Sequence, residues 1–298
     1  MNTPPVLDSQ LLSLEPILPP QTRRDFLVAS AVAGMALSAG PVMAQQLVVT
    51  STDGLETGEL KVPGLNGSLI PVYFAAPKKA GRYATILVIP EIWGAHEHIK
   101  DVARRLAKVG YFAVVTEPYS RIGDLTKLTE FKEVIAGANQ LTDEQCFADL
   151  DATVKWLAGQ AKADVNRLGI TGFCRGGRTT WMYTAHNPQI KAGVAWYGGL
   201  NPAPPAMPLT PVEIASQLKS PVLGLYGGAD QGIPQAALDR LTAALAAAGK
   251  EKESMIHVYP GMPHAFHADY RPSYRKEAAE DGWKRMLAWF TKQGLAGA

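Results

Sequence analysis

The residues best suited to covalent chemistry lie in Gly172-Phe173-Cys174-Arg175-Gly176-Gly177. A short apolar run, Leu168–Gly172, leads into this stretch and a helical pattern follows it. A Gly-x-nucleophile-x-Gly turn joins a strand to a helix so tightly that bulky flanks would clash, and it lifts the side chain at its tip above the sheet. Here the tip is Cys174, and no Gly-x-Ser-x-Gly occurs anywhere in the chain. The positive end of the following helix favours a thiolate. The plainer reading is a buried cysteine beside a packing turn; the strand before it and the helix after it favour the nucleophile.

A thiol near its ordinary pKa is only a few per cent ionised at neutral pH, so Cys174 needs a base. The chain has six histidines: 96, 98, 186, 257, 264 and 267. In sheets built around such an elbow, the acid and the histidine follow the nucleophile in chain order, each at a strand end. Tyr226-Gly227-Gly228-Ala229-Asp230 and Tyr259-Pro260-Gly261-Met262-Pro263-His264 both fit. His267 is the close rival of His264, and Asp239, inside a helix pattern, is the weaker rival of Asp230. His186 and His257 fall within a helix and a strand and read as structural. His96 and His98 start a helix with no cysteine or carboxylate cluster around them, so no metal or other cofactor is expected.

These side chains need a sheet to hold them. Apolar runs recur at Ser68–Ala75, Ala84–Ile89, Tyr111–Thr116, Leu168–Gly172, Ala192–Tyr197, Pro221–Tyr226 and Glu253–Tyr259. From Ala84 onward most lack alternation, as strands buried on both faces do. Helical spacing lies between them: Ile99, Val102, Leu106 and Val109; then Phe147, Leu150, Val154 and Leu157, opened by a capping box at Thr142–Gln145; finally Trp283, Met286, Leu287 and Phe290. Strand–helix alternation predicts an α/β fold with a central, mostly parallel sheet and helices on both faces. Leu60–Ala75, with Asn66-Gly67 between apolar runs, predicts an antiparallel hairpin at one edge. Asn201–Pro211, with five prolines, predicts a surface loop or lid.

The cysteine elbow, Pro90-Glu91-Ile92-Trp93-Gly94 and the two strand ends together resemble the dienelactone hydrolase family, α/β-hydrolases also called carboxymethylenebutenolidases. His98-Ile99, Ala103-Arg104-Arg105-Leu106 and Gly110-Tyr111 add to the likeness, which runs over about residues 55–292. The resemblance implies a triad of Cys174, Asp230 and His264, the three that the strand ends select. It implies that Glu91 helps ionise the thiol, and that the backbone N–H groups of Ile92 and Arg175 form the oxyanion hole. Known members hold a substrate carboxylate with two arginines. The position four residues after the histidine is Ala268 here, so Arg121, His267 and Arg271 are the substrate-binding candidates. The expected activity is hydrolysis of small esters or lactones through an acyl-cysteine. A broader carboxylesterase or thioesterase on the same triad is the alternative; a thiol-redox protein exchanging a Cys174–Cys146 disulfide and a non-catalytic binding protein are the readings from other classes.

Residues 1–44 read as an export leader. Arg23-Arg24 with Phe26-Leu27 resembles a twin-arginine signal; an apolar stretch and Val42-Met43-Ala44 follow. Cleavage after Ala44 would leave a single domain, 45–298, in the periplasm, delivered by the twin-arginine machinery. Retention as an anchor is the alternative, although the small residues and Pro41 make a poor membrane span. Of 298 residues 47% are hydrophobic, enough for a sizeable core. A formal charge of +2 with no long basic run argues against nucleic acid, and two cysteines exclude a disulfide framework. A monomer acting on a small molecule is the expectation.

Overall fold

The structure is a computed structural model that describes residues 48–201 and 206–298. The leader, its cleavage site and residues 202–205 of the proline-rich loop lie outside the described residues.

Eight strands form one sheet: β1 (Leu55–Pro63), β2 (Leu69–Pro77), β3 (Tyr83–Ile89), β4 (Phe112–Thr116), β5 (Ala163–Phe173), β6 (Ile190–Trp196), β7 (Val222–Gly227) and β8 (Met255–Tyr259). Their order is β1-β2-β4-β3-β5-β6-β7-β8. The first two strands form the predicted antiparallel hairpin, with Val62 opposite Ile70. Its connection uses the left-handed backbone of Asn66 and Gly67, which explains the Asn-Gly pair. β2 meets β4 antiparallel, and every later pairing is parallel.

Among the described residues the α-helices are α1 (Glu97–Lys108), α2 (Phe131–Ala138), α3 (Asp143–Leu157), α4 (Arg175–His186), α5 (Gln235–Ala247) and α6 (Lys276–Lys292). Both members of the Thr142–Gln145 capping box are formed at the start of α3. Successive residues of β3 point to opposite faces, so the strand feeds two cores. Ile86 and Val88 join Ile99 and Val102 of α1 and Met286 and Phe290 of α6. Leu87 and Ile89 join Leu150, Val154 and Leu157 of α3. Burial on both faces accounts for the uninterrupted apolar runs of β3 and β4. This is the α/β-hydrolase arrangement.

The chain enters the domain along α1. Thr50 N donates to Asp101 Oδ1 at 2.7 Å, and Arg105 Nη2 reaches the carbonyl of Val48 at 3.3 Å. Among the described residues no helix is long and apolar enough to cross a membrane.

Candidate active site

The parallel strands end on one side of the sheet, where ligands bind in open α/β folds. Five consecutive strand ends deliver the site: Glu91 after β3, Cys174 after β5, Tyr197 after β6, Asp230 after β7 and His264 after β8.

The elbow is built by close approach. Cys174 has φ 54° and ψ −113°, a strained conformation for a residue with a side chain. A Cβ on Gly172 would lie 2.2 Å from the Gly176 carbonyl oxygen. One on Gly176 would lie 2.3 Å from the carbonyl oxygen of Ile89, and one on Gly177 2.4 Å from that of Trp196. These contacts are with backbone and cannot yield, so the three glycines are steric requirements of the turn. Arg175 is the first residue of α4, where backbone N–H groups have no intrahelical partner.

Asp230 and His264 are joined directly. His264 Nδ1 lies 2.6 Å from Asp230 Oδ2, and both side chains are buried. Asp230 is itself held by its loop, accepting from the N–H of Gly232 at 2.9 Å. The remaining ring nitrogen, Nε2, is buried with no bonded partner. Burial alone would push the His264 pKa down, but the Asp230 carboxylate first, and the neighbouring Cys174 next, outweigh it and raise the pKa well above the usual value. The structure therefore brings Cys174, His264 and Asp230 together in that order. Asp239 instead lies exposed on α5, bonded to Gln235.

Glu91 sits in a second, charged cluster. It is fully buried, and its Oε2 accepts from the Tyr270 hydroxyl, from Arg271 Nη2 at 3.3 Å and lies 3.5 Å from His96 Nε2. Burial would raise its pKa, yet Arg271 first and His96 next hold it well below the usual carboxylate range. Oε1 is buried and without a partner. The Arg271 guanidinium stacks 4.4 Å from the centroid of the Trp93 ring. The loop carrying Glu91 is tied down by Glu117, whose carboxylate accepts from the N–H groups of Ala95 and Tyr119 at 2.6 and 2.8 Å.

The three substrate-binding candidates separate. Arg271 joins the site through Glu91. Arg121 is engaged by Asp149 of α3. His267 is a correction: it is 2% exposed and packed in an aromatic pile, 4.6 Å from Trp196, 5.1 Å from Phe173 and 6.1 Å from Trp283. Burial, then the nearby His98 and Arg105, depress its pKa well below the usual value. The chain turns between the two histidines, with Ala265 at φ 57°.

Sequence reasoning missed Tyr270, Tyr197 and the role of His96. His96 was visible as a polar residue five positions after Glu91, but the contact between them was not. His98 has a distant partner, Asp269, at 3.0 Å. Both cysteines are free and buried, and burial pushes the Cys146 thiol up to about 12.

Residues 70–294 match the model of the dienelactone hydrolase family. A Methylorubrum extorquens protein named "Putative carboxymethylenebutenolidase" is 53% identical over 277 residues, covering 92% of this chain and 94% of its own. An Escherichia coli (strain K12) protein of the same name is 46% identical over 264 residues, covering 88% and 96%. A Klebsiella pneumoniae crystal structure titled as that of a putative dienelactone hydrolase superposes with a TM-score of 0.76 at 46% identity, over 80% of this chain and 99% of that one. With residues 70–294 matched by the family model and relatives at 46–53% identity matched along nearly their whole length, this chain belongs to the dienelactone hydrolase family and is a hydrolase.

Proposed function

We propose that the protein hydrolyses small esters or lactones through an acyl-cysteine formed on Cys174. The observation that carries this reading is His264, bonded to Asp230 through Nδ1 and left with a free, buried Nε2 beside the thiol. The thiol proton passes to His264, and the thiolate attacks the substrate carbonyl carbon. The N–H groups of Ile92 and Arg175 receive the developing oxyanion, where each donor is worth about 3 kcal/mol. His264 then protonates the leaving enolate or alkoxide oxygen as its bond to the acyl carbon breaks. Water, deprotonated by His264, attacks the acyl-cysteine; the carboxylic acid leaves and the thiol recovers its proton.

Arg271 is the anchor for a substrate carboxylate in this proposal, in place of the arginine absent at position 268. An incoming carboxylate would compete with Glu91 for Arg271, freeing Glu91 to help ionise the thiol. The relatives' name, carboxymethylenebutenolidase, supports an enol lactone that carries a carboxylate. A thiolate expels such good leaving groups readily and attacks amides poorly. The leader supports export by the twin-arginine route and action in the periplasm.

The test is a panel of p-nitrophenyl acetate, dienelactone, and lactones with and without a carboxylate. Cys174→Ala should abolish turnover of all of them; equal activity in variant and parent would overturn the nucleophile. Preference for carboxylate-bearing lactones supports Arg271 as anchor, and indifference removes it. The intact mass of the exported protein should match a chain beginning at Gln45.

A further inference from the structure

The connection from β8 to α6, residues 260–275, contains neither strand nor helix, yet it carries both His264 and Arg271. Connections of that length without secondary structure are uncommon and usually functional. Arg271 is delivered by a turn. Its N–H donates to the Ala268 carbonyl at 3.0 Å, so Asp269 and Tyr270 are the two central residues. The Tyr270 hydroxyl bonds to Glu91 and accepts from Arg271 Nε at 2.8 Å. Its ring packs against His96 and His98, with centroids 4.9 and 5.2 Å away.

Asp269 ties the same turn to α1. Its Oδ1 lies 3.0 Å from His98 Nδ1, and its Oδ2 accepts from Arg105 Nη2. An ionised carboxylate only accepts, so His98 Nδ1 carries the proton of that bond. His98 and Arg105 stand seven positions apart on α1, which puts them on one face of the helix. Arg105 is fixed in turn by its own helix, donating from Nε to Asp101 Oδ2 at 2.6 Å. Both oxygens of Asp269 are therefore engaged by a rigid element.

Stability alone does not account for a charge in this place. Asp269 is buried, and apolar groups of similar size often replace buried ion pairs at no loss of stability. Burial would raise its pKa, but His98 first and Arg105 next hold it below the usual carboxylate value, so the tie is a charged one. What the carboxylate supplies is direction. It sets the turn against α1 at two points, and two residues later the Arg271 guanidinium lies 3.3 Å from Glu91.

We propose that Asp269 is a positioning residue for substrate selection: by pinning the turn to His98 and Arg105 it fixes the Arg271 guanidinium beside Glu91, where a substrate carboxylate is received. The inference rests on the reading of Arg271 as the anchor for that carboxylate.

The test is a selectivity ratio: kcat/KM for a carboxylate-bearing lactone over kcat/KM for a lactone without one, in parent and Asp269→Asn. Asparagine has nearly the same shape but offers one accepting oxygen where His98 and Arg105 use two. The ratio should fall about tenfold, with KM for the carboxylate-bearing lactone rising. A merely structural role would reduce the amount of active enzyme and scale both substrates together. An unchanged ratio and KM would therefore overturn the proposal. If Asp269→Asn does not fold, Arg105→Gln removes one tie from its half-buried end. Its ratio should fall in the same direction, and no change overturns the proposal. A parent indifferent to the carboxylate removes Arg271 as anchor and this proposal with it. A selective parent whose ratio survives the substitution overturns this proposal alone.

Discussion

Arg271 Nη2 lies 3.3 Å from Glu91 Oε2, and both side chains are buried. The two residues are 180 positions apart, and the pair joins the loop after β3 to the segment after β8. A buried pair gains little over a well-packed apolar pair, but breaking it leaves one charge without compensation. Arg271→Met should therefore cost about 3–5 kcal/mol. The double variant Glu91→Gln/Arg271→Met should recover much of that loss. Urea unfolding of the parent, both single variants and the double variant completes the cycle.

Asp230 orients His264 and holds its charge. Asp230→Asn should lower turnover by about four orders of magnitude, as loss of an orienting carboxylate does in comparable triads. The sign of the accompanying shift follows from the charge. The Asp230 carboxylate raises the His264 pKa, so its removal should lower that pKa. An imidazole NMR titration of parent and variant reads the direction.

His267 makes acid sensitivity specific. Its folded pKa is well below the ordinary value of about 6.5, so it folds neutral while the unfolded chain takes up a proton near that pH. Its contribution to stability is fully present above about pH 6.5 and is lost as the pH falls toward the folded pKa, at up to about 1.4 kcal/mol per pH unit. His267→Phe preserves the stacking and should flatten this slope. Some slope should remain, because burial also depresses the His96 pKa. Thermal melts between pH 7.5 and 5.5 measure both.

The elbow glycines differ from a nearby glycine that has room. Gly176→Ala drives a methyl against the backbone of Ile89 and Pro90 and should prevent normal folding or abolish activity. Gly199→Ala meets nothing within 4 Å and should change stability by no more than about 0.5 kcal/mol. Expression, melting temperature and hydrolysis of p-nitrophenyl acetate compare the two.

What the sequence determined by itself was whatever short-range sterics and patterning encode. Gly172, Gly176 and Gly177 mark a turn that only small residues can make. The apolar runs before Cys174, Asp230 and His264 mark the strand ends that present them, and Asn66-Gly67 and Thr142–Gln145 mark a hairpin and a helix start. Each signal spans a few residues, because backbone conformation is a local property. The tertiary structure alone decided the charge pairs and the burial. It joined Glu91 to Arg271 and His98 to Asp269, engaged Arg121 with Asp149, and sent His267 into an aromatic pile three residues after His264. It also set the ring of Tyr197 against His264 and left its buried hydroxyl without a hydrogen-bond partner. Those outcomes depend on desolvation and Coulomb interactions summed over side chains brought together from distant parts of the chain, and no spacing within a single segment carries that sum.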